Sequence, residues 1–552
     1  MQYNSRIEFM KKIIISVSAL FASVSVMVGQ NIDPTVEVSR VYEGKLIEVH
    51  KPALEMAVPD TLYRFDLGFD YSVFSNPYKG SYEFKPYVME MRPAAVDAHR
   101  NTFYLQAGAG YTLHPTLDLL WSPVKKSAFS MDVFATHRSY VGEYRTIENR
   151  PGWCGYDLLS RAGADFGYDW QKSNLDFGAS YYGIADKDYR RGRLYNALDA
   201  YAALKSKSVW PKHFLYDVNV AYRFAEDAAV KKMYEHNFSV DASFGPNLNE
   251  GSKVLFDFGV ELDVYHGSIV STASRFYIVP HYVLNKGILD LDLGVRISTV
   301  ASSGDAFGNK NQVVYPDLRM DLALLPDAMK MYVKIGGGER LETYSSLIAR
   351  NHHLDLGYSM TGPGSVINVT VERLSAILGF EGRISSFFSY NLRGGYVNYK
   401  YALLDAAVKT EGDQYMPMLG YSPYQKAFAS LDWNMTFQSI RFDGAVTYNY
   451  AWGIEDVNML GLSAVEGNAA VMYNWNGRIN AGIDCNFATG RVAESGFKVP
   501  GFADLGIYGE YALNKKLSFW LRGGNLLNME IQRNLLFAEH GINFTAGICL
   551  NL

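Results

Sequence analysis

The chain ends in GINFTAGICLNL, residues 541–552, in which apolar residues alternate strictly with small or polar ones. Successive side chains of an extended strand point to opposite faces, so this pattern predicts a strand with one apolar face. That face comprises Ile542, Phe544, Ala546, Ile548, Leu550 and Leu552. The medium that this face contacts, a protein core or a lipid bilayer, decides the fold.

The same alternation recurs along the chain. It is clear in YRFDLGFDYSV (63–73), FLYDVNVAYRF (214–224) and LDLDLGVRIS (289–298), where the second face carries charged residues. A soluble β-sandwich would show this pattern with its charges in water. Alternation alone therefore does not separate a sandwich from a membrane barrel.

The lengths of the connections separate these two folds. Outer-membrane barrels have short periplasmic turns and longer extracellular loops, whereas a sandwich has no reason to sort its loops by length. The short links are QKSN (171–174), LNKG (284–287), LPDA (325–328), GRIS (382–385), FQSI (437–440), WNGR (475–478) and LNKK (513–516). Between them lie longer segments, namely SSGDAFGNKNQ (302–312), 342–369, 403–425 and NMEIQRNLLFAEHG (528–541).

This arrangement predicts an all-β fold, a transmembrane antiparallel β-barrel of about 22 strands, with roughly 20 to 24 compatible with the sequence. An unpaired backbone amide in hydrocarbon costs several kcal/mol, so the sheet must close and its last strand must pair with its first. One region is left with two interpretations. The segment YLQAGAGYTLHPTLDLLW (104–121) forms either one long strand or a hairpin that turns at His114 and Pro115.

The start of the chain has the features of a targeting segment. Lys11 and Lys12 precede the apolar run IIISVSALFASVSVMVG (13–29), as in a secretory signal peptide. No later run reaches the roughly 18 apolar residues of a transmembrane helix. We expect residues 1–29 to be a signal peptide, 30–60 an extended periplasmic tail, and 61–552 the barrel.

The predicted location is the cell outer membrane, where the barrel crosses the bilayer many times. Its apolar face would contact outer-membrane lipid, and the barrel-assembly machinery would insert it. The net charge of -5 and the lack of a basic stripe argue against nucleic acid as a partner.

Motifs for chemistry are missing. The three cysteines are far apart, and the neighbouring His352 and His353 would point to opposite faces of an extended chain, so neither predicts a metal site. The glycines at 336–338 lack the Lys and Ser/Thr of a phosphate-binding loop. We therefore predict no enzyme activity, no cofactor and no metal.

The charged faces of the strands form the candidate site. Both signs of charge interleave on the inward face, which predicts cross-strand ion pairs that either stabilise a wide barrel or bind a solute. The candidate lumen-facing residues are Asp290, Asp292, Arg296, Asp317, Arg319, Asp321, Lys330, Lys334, Asp504, Glu510 and Arg522.

Two motifs near the C terminus carry a family resemblance. A knot of Asn525, Leu526, Leu527 and Asn528 ends one strand, and a Gly-x-x-Phe-x-x-Gly core follows at Gly541, Phe544 and Gly547. These motifs resemble the C-terminal strands of TonB-dependent receptor barrels, particularly of the Bacteroidetes type. Residues 372–400 also resemble an internal hairpin of such barrels. The resemblance implies a barrel of that kind.

The resemblance also shows a departure. Receptors of this family place a plug domain of well over a hundred residues before the barrel, whereas only residues 30–60 precede the first predicted strand here. The resemblance therefore implies a barrel that lacks the plug. The stretch PTVEVS (34–39) faintly resembles a TonB box, but so short a pattern is common, and we assign it to the tail.

Two functions remain as alternatives. A plugless barrel of this width has a lumen and would pass solutes across the outer membrane, unless loops 342–369 or 403–425 fold into it. The alternative is a structural subunit or scaffold of an outer-membrane complex, with periplasmic or outer-membrane partner proteins bound through residues 30–60. A barrel enzyme acting on lipids is least favoured, because no Ser/His/carboxylate set falls on one strand pair.

Overall fold

The computed structural model describes residues 102–552, except 112–114, 127, 145–152, 188–191, 208–213, 229–231, 250, 268–269, 303–313, 326–327, 354–366, 386 and 410–414. The predicted signal peptide, the tail 30–60 and the strand expected at 63–73 lie outside the described residues. Within the described ranges, no helix is long and apolar enough to cross a membrane.

Twenty-two antiparallel strands form one sheet that closes on itself. They are β1 (Phe103–Gly110), β2 (Thr116–Lys126), β3 (Phe129–Tyr144), β4 (Trp153–Asp169), β5 (Ser173–Lys187), β6 (Gly192–Ser206), β7 (Phe214–Asp227), β8 (Met233–Asn249), β9 (Ser252–Gly267), β10 (Ser271–Lys286), β11 (Leu289–Ser302), β12 (Val314–Leu325), β13 (Met329–Leu341), β14 (Val369–Ile384), β15 (Phe388–Lys409), β16 (Tyr415–Phe437), β17 (Ile440–Trp452), β18 (Val465–Trp475), β19 (Ile479–Ala488), β22 (Phe502–Ala512), β23 (Leu517–Gly524) and β24 (Asn543–Asn551). β20 (Arg491–Val492) and β21 (Lys498–Val499) form a separate two-stranded sheet, and one short helix, α1 (Tyr344–Arg350), follows β13.

The ring closes because β1 pairs with β2 on one side and with β24 on the other. The predicted closed barrel of 22 strands is confirmed, and its described strands lie between Phe103 and Asn551. The segment 104–121 forms the hairpin β1–β2, which was one of its two interpretations.

The connections quoted from the sequence lie at the ends where they were predicted, with one exception. All seven short links join consecutive strands at the end where Thr102 and Leu552 meet, Thr102 N–H donating to Leu552 O at 2.6 Å. The exception is the segment 403–425. The prediction that it forms a long loop is wrong, because most of it belongs to the upper parts of β15 and β16, which are 22 and 23 residues long. By the rule for outer-membrane barrels, the short-turn end is periplasmic and the opposite end extracellular.

The closing strand β24 has the two faces that its sequence predicts. Phe544 and Ile548 are 45% and 41% exposed, whereas Cys549 on the other face is 3% exposed. Apolar side chains open to the surroundings of a closed barrel lie against lipid. The apolar phase of the last strand therefore faces the membrane.

Two glycines allow the seam between β1 and β24 to close. Gly108 and Gly547 lie directly opposite each other, and the ring of Trp520 on β23 extends over them. A Cβ at Gly108 would lie 2.4 Å from the Trp520 ring, and one at Gly547 would lie 2.0 Å from the carbonyl oxygen of Ala107. The Gly-x-x-Phe-x-x-Gly motif thus places its last glycine where no side chain fits.

The Asn-Leu-Leu-Asn knot forms a turn after β23. Asn525 and Asn528 adopt positive φ values of 46° and 50°, a region that asparagine tolerates better than most residues. The Asn525 side chain donates to the carbonyl oxygens of Met529 and His540, both at 2.9 Å, and accepts the Met529 N–H at 3.0 Å. The knot therefore fixes both ends of the loop 525–542.

Candidate functional site

The connection between β13 and β14 contains α1. Thr343 caps the helix, its hydroxyl accepting the Ser346 N–H at 3.1 Å, as expected for a threonine at this position. Tyr344, Leu347 and Ile348 fall at i, i+3 and i+4 and form one buried face. A helix of seven residues is marginal in isolation, so this one depends on what its buried face contacts.

That buried face crosses the extracellular mouth of the barrel. Leu347 and Ile348 belong to one apolar cluster with residues of two parts of the ring. Its other members include Ile184, Tyr195, Ala197, Ala225, Met233 and Tyr265 on β5–β9, and Leu403 and Leu419 on β15 and β16. On a ring of 22 strands, β14 lies nearly opposite β4, so the segment 343–353 reaches across the lumen.

A buried carboxylate holds the first turn of α1. Glu235 on β8 is 0% exposed and accepts both the Ser345 N–H at 3.0 Å and the Ser345 hydroxyl at 2.5 Å. The Tyr195 hydroxyl donates to Ser345 Oγ at 2.7 Å, so the three side chains form a chain of hydrogen bonds. Buried polar groups of this kind are stable only when paired, and here the partners come from the loop and the wall.

Further polar contacts tie both sides of the loop to the wall. The Tyr344 hydroxyl donates to Asp227, which also lies 3.2 Å from the Arg193 guanidinium. On the far side, Arg350 donates to the carbonyl oxygen of Leu403 at 3.1 Å and to Asp405 at 3.0 Å. The loop is therefore held from both halves of the ring.

His352 and His353 follow α1 in a turn, and their rings are 4.1 Å apart. The prediction that they point to opposite faces is wrong, because a turn after a helix brings consecutive side chains together. His352 Nε2 lies 2.9 Å from Asp157 Oδ2 on β4, and His353 Nδ1 lies 3.4 Å from Asp186 Oδ2 on β5. Both imidazoles are nearly buried.

The two imidazoles are in different electrostatic settings. Burial lowers the pKa of His352, but the charge of Asp157 and the hydrogen bond to it outweigh burial and raise that pKa above the ordinary value. Burial and the neighbouring charge of His352 lower the pKa of His353. His352 is thus the imidazole that favours the charged form.

A cavity of about 580 Å³ lies against the wall of β3–β8. The residues that line this cavity on β6, β7 and β8 lie closer to the periplasmic end of each strand than the residues of the same strands that contact α1. Its charged wall includes the pair Arg223–Asp199, 2.5 Å apart, and Asp165, which accepts a hydrogen bond from Tyr201 at 2.8 Å. The cavity therefore offers both signs of charge beneath the docked loop.

The predicted polar residues of β11–β13 lie on another part of the wall. Arg319 Nε is 2.8 Å from Asp321 Oδ2, and Lys330 Nζ is 3.5 Å from the same oxygen. Asp292 is 2.8 Å from His281, and the Arg296 guanidinium lies 4.6 Å from the ring centre of Tyr277. Asp290, Asp317 and Lys334 lie in the same three strands, Asp290 opposite Asp321, Asp317 opposite Gly294, and Lys334 opposite Arg319.

The remaining predicted residues lie on β22 and β23. Glu510 accepts hydrogen bonds from Ser518 at 2.6 Å and from Tyr508 at 2.9 Å. Arg522 lies opposite Tyr508 in the register. Asp504 accepts from Arg533 of the loop 525–542 at 2.7 Å. The docking site for α1 and the cavity instead lie on other strands than those of the predicted polar residues.

The residues that were missed had one signal in the sequence. Thr343 followed by apolar residues at 344, 347 and 348 has the spacing of a capped helix, and it stands in a chain otherwise patterned with period two. The carboxylates that bind the helix have no such signal, because many charged residues share the inward face. Which of these carboxylates contact the helix depends on which strands the loop reaches.

Comparison with known proteins shows similarity of structure without similarity of sequence. No protein-family model and no curated protein sequence matches the chain. The copper transporter OprC is 10% identical with a TM-score of 0.60, the match covering 82% of this chain and 80% of that chain. The FrpB iron transporter from Neisseria meningitidis (F3-3 variant) is 10% identical with a TM-score of 0.62, covering 82% of each chain. The siderophore receptor PiuA from Acinetobacter baumannii is 8% identical with a TM-score of 0.61, covering 82% of this chain and 81% of that chain.

These likenesses establish the fold. The chain has the fold of the TonB-dependent receptor barrels that its C-terminal motifs resemble, a closed β-barrel of 22 strands. The three proteins are named as transporters or receptors, and none is named as an enzyme.

Proposed function

We propose that the chain transports solutes across the outer membrane and that the segment 343–353, which contains α1, is its gate. The observation that carries this proposal is α1, docked across the mouth by contacts with β5–β9 and with β15, above a cavity of about 580 Å³ with charges of both signs. A barrel of 22 strands is wide enough to enclose a lumen. The transport functions named for OprC and FrpB support the same class of activity.

The gate has two properties that favour movement over permanent closure. Its helix is too short to be stable unless docked, and its docking contacts include many hydrogen bonds that water can replace. Elements that move in function come from the less stable parts of a structure. Undocking of α1 would uncover the cavity without disturbing the closed sheet.

The test removes the gate and keeps the barrel. Residues 343–367 are replaced by a short Gly-Ser link between Glu342 and Asn368. The backbones of these two residues are already in contact, since the Glu342 N–H donates to the Asn368 carbonyl oxygen with an N to O distance of 2.8 Å. We expect proteoliposomes that carry this variant to take up small polar solutes several-fold faster than proteoliposomes that carry the full-length protein, because the mouth is then open. Swelling in isotonic sugars of graded size measures the rate.

Equal, negligible uptake by both proteins would contradict the proposal. Gentle solubilisation of native membranes followed by affinity purification then tests the alternative function, a structural subunit of an outer-membrane complex. Recovery of a barrel that does not conduct in a defined complex with partner proteins would identify a structural subunit.

A further inference from the structure

Two carboxylates face each other in the wall beneath the turn that follows α1. Asp157 on β4 and Asp186 on β5 are directly opposite in the register. Like charges in directly opposed positions of a sheet destabilise it, and burial of charges raises that cost unless positive charge compensates. The next residue in this row, Arg193, is opposite Asp186 and is shared with a third carboxylate, Asp227.

The loop brings two imidazoles to the opposed carboxylates. One donor atom each of Asp157, His352 and His353 lies within 4.8 Å of the other two. In the described structure, His353 Nδ1 is buried and makes no hydrogen bond, although Asp186 Oδ2 is 3.4 Å away. A buried ring nitrogen without a hydrogen bond is costly and points to a partner that the protein itself does not supply.

The surroundings confine this cluster. The ring of Phe537, from the loop 525–542, stacks on His353 with ring centres 4.4 Å apart. His540 of the same loop stacks on Tyr140, which lies opposite Asp157 in the register. The His353 ring is therefore held in place from outside, as ligands of a bound ion usually are.

We infer that Asp157, His352 and His353 bind a divalent transition-metal ion that joins the gate to the wall. Imidazole and carboxylate donors suit zinc, copper, nickel and iron, and zinc sites combine His nitrogen at about 2.0–2.1 Å with Asp oxygen at about 2.0–2.2 Å. Asp186 Oδ2 lies 3.4 Å from the same nitrogen, His353 Nδ1, so it adds a second carboxylate beside the proposed ion. Three carboxylates and Arg193 leave a net charge that a divalent ion balances.

The site combines a ligand of the barrel wall with two ligands of the loop. A bound ion would therefore stabilise the docked form of α1, because the undocked form lacks two of the three ligands. This inference concerns binding and does not depend on whether the barrel conducts.

The test uses the full-length protein purified in detergent, stripped with a chelator and dialysed. Titration calorimetry with Zn²⁺ measures stoichiometry and affinity for the wild type, H352Q, H353Q and the control H236Q. His236 belongs to a different imidazole pair, with His266, whose ring centres are 5.7 Å apart on β8 and β9. We expect one ion per chain, at least about a tenfold loss of affinity in H352Q and H353Q, and no change in H236Q.

Two checks keep this test decisive. The shift in electrophoretic mobility on heating shows that each variant is a folded barrel, and D186N replaces any variant that fails this check. X-ray absorption of the zinc-loaded wild type should show nitrogen and oxygen ligands at about 2.0–2.2 Å. Failure of the wild type to bind zinc stoichiometrically, or equal binding by the wild type and H353Q, would overturn the inference.

Discussion

Replacing Ile548 by arginine is expected to prevent the barrel from reaching the outer membrane. Ile548 lies near the middle of β24, is 41% exposed and belongs to the face that lies against lipid. An arginine on the lipid face at the bilayer midplane costs about 2–4 kcal/mol. β24 pairs with both β23 and β1, so its failure to insert leaves the ring open.

The measurement compares outer-membrane fractions of cells that express the variants. The matched control is Ser180→Arg, which adds the same charge on the cavity wall, where Ser180 lies opposite Asp199. We expect I548R and F544R to be depleted from the fraction and to lose the heat-dependent shift in mobility, whereas S180R behaves as the wild type. Normal levels of I548R would refute the assignment of this face to lipid.

Replacing Glu235 by leucine is expected to undock the gate. The carboxylate of Glu235 accepts two hydrogen bonds from Ser345, and leucine leaves both donors buried without it. Each unsatisfied buried group costs about 1–3 kcal/mol. Burial of Leu347 and Ile348 contributes about 1.5–3 kcal/mol each, so the loss is comparable with the apolar contribution that holds α1 in place.

Limited trypsin digestion in detergent measures undocking, since Arg350 lies in α1 and its side chain is 12% exposed when docked. We expect cleavage after Arg350 in E235L and protection in the wild type. The control E235Q keeps an oxygen acceptor for the Ser345 N–H and should remain largely protected. Equal protection in E235L and E235Q would show that the carboxylate does not hold the loop.

The barrel fold could be predicted from the sequence, because a strand between lipid and a polar lumen must alternate. The alternation is lost in the upper part of β15, where Ala402 to Ala407 are all buried. Leu403 packs in the cluster of α1, while Leu404 and Ala406 pack with Met459 of another loop. A strand with both faces covered loses the period of two, and this one was predicted to be a loop.

The site was predictable only in its general character. The alternation predicts charged residues on the inward face, and two of them, Asp321 and Glu510, are 6% and 7% exposed. The residues that bind the loop were not predictable, because Asp157 and His352 are 195 positions apart in the chain. Their contact depends on the closed ring, which places β4 nearly opposite β14.

Cysteine labelling on intact cells shows whether α1 lies docked across an extracellular mouth. Ser345→Cys is a conservative change at a residue that is 4% exposed, and Ser495→Cys is the same change at an exposed residue of the loop that carries β20 and β21. A maleimide that does not cross membranes is applied to both variants and to the parent, whose native cysteines set the background. We expect rapid labelling of S495C, and labelling of S345C at the parent level unless Glu235 is also replaced by leucine. Labelling of S345C as fast as S495C would show that α1 is not docked.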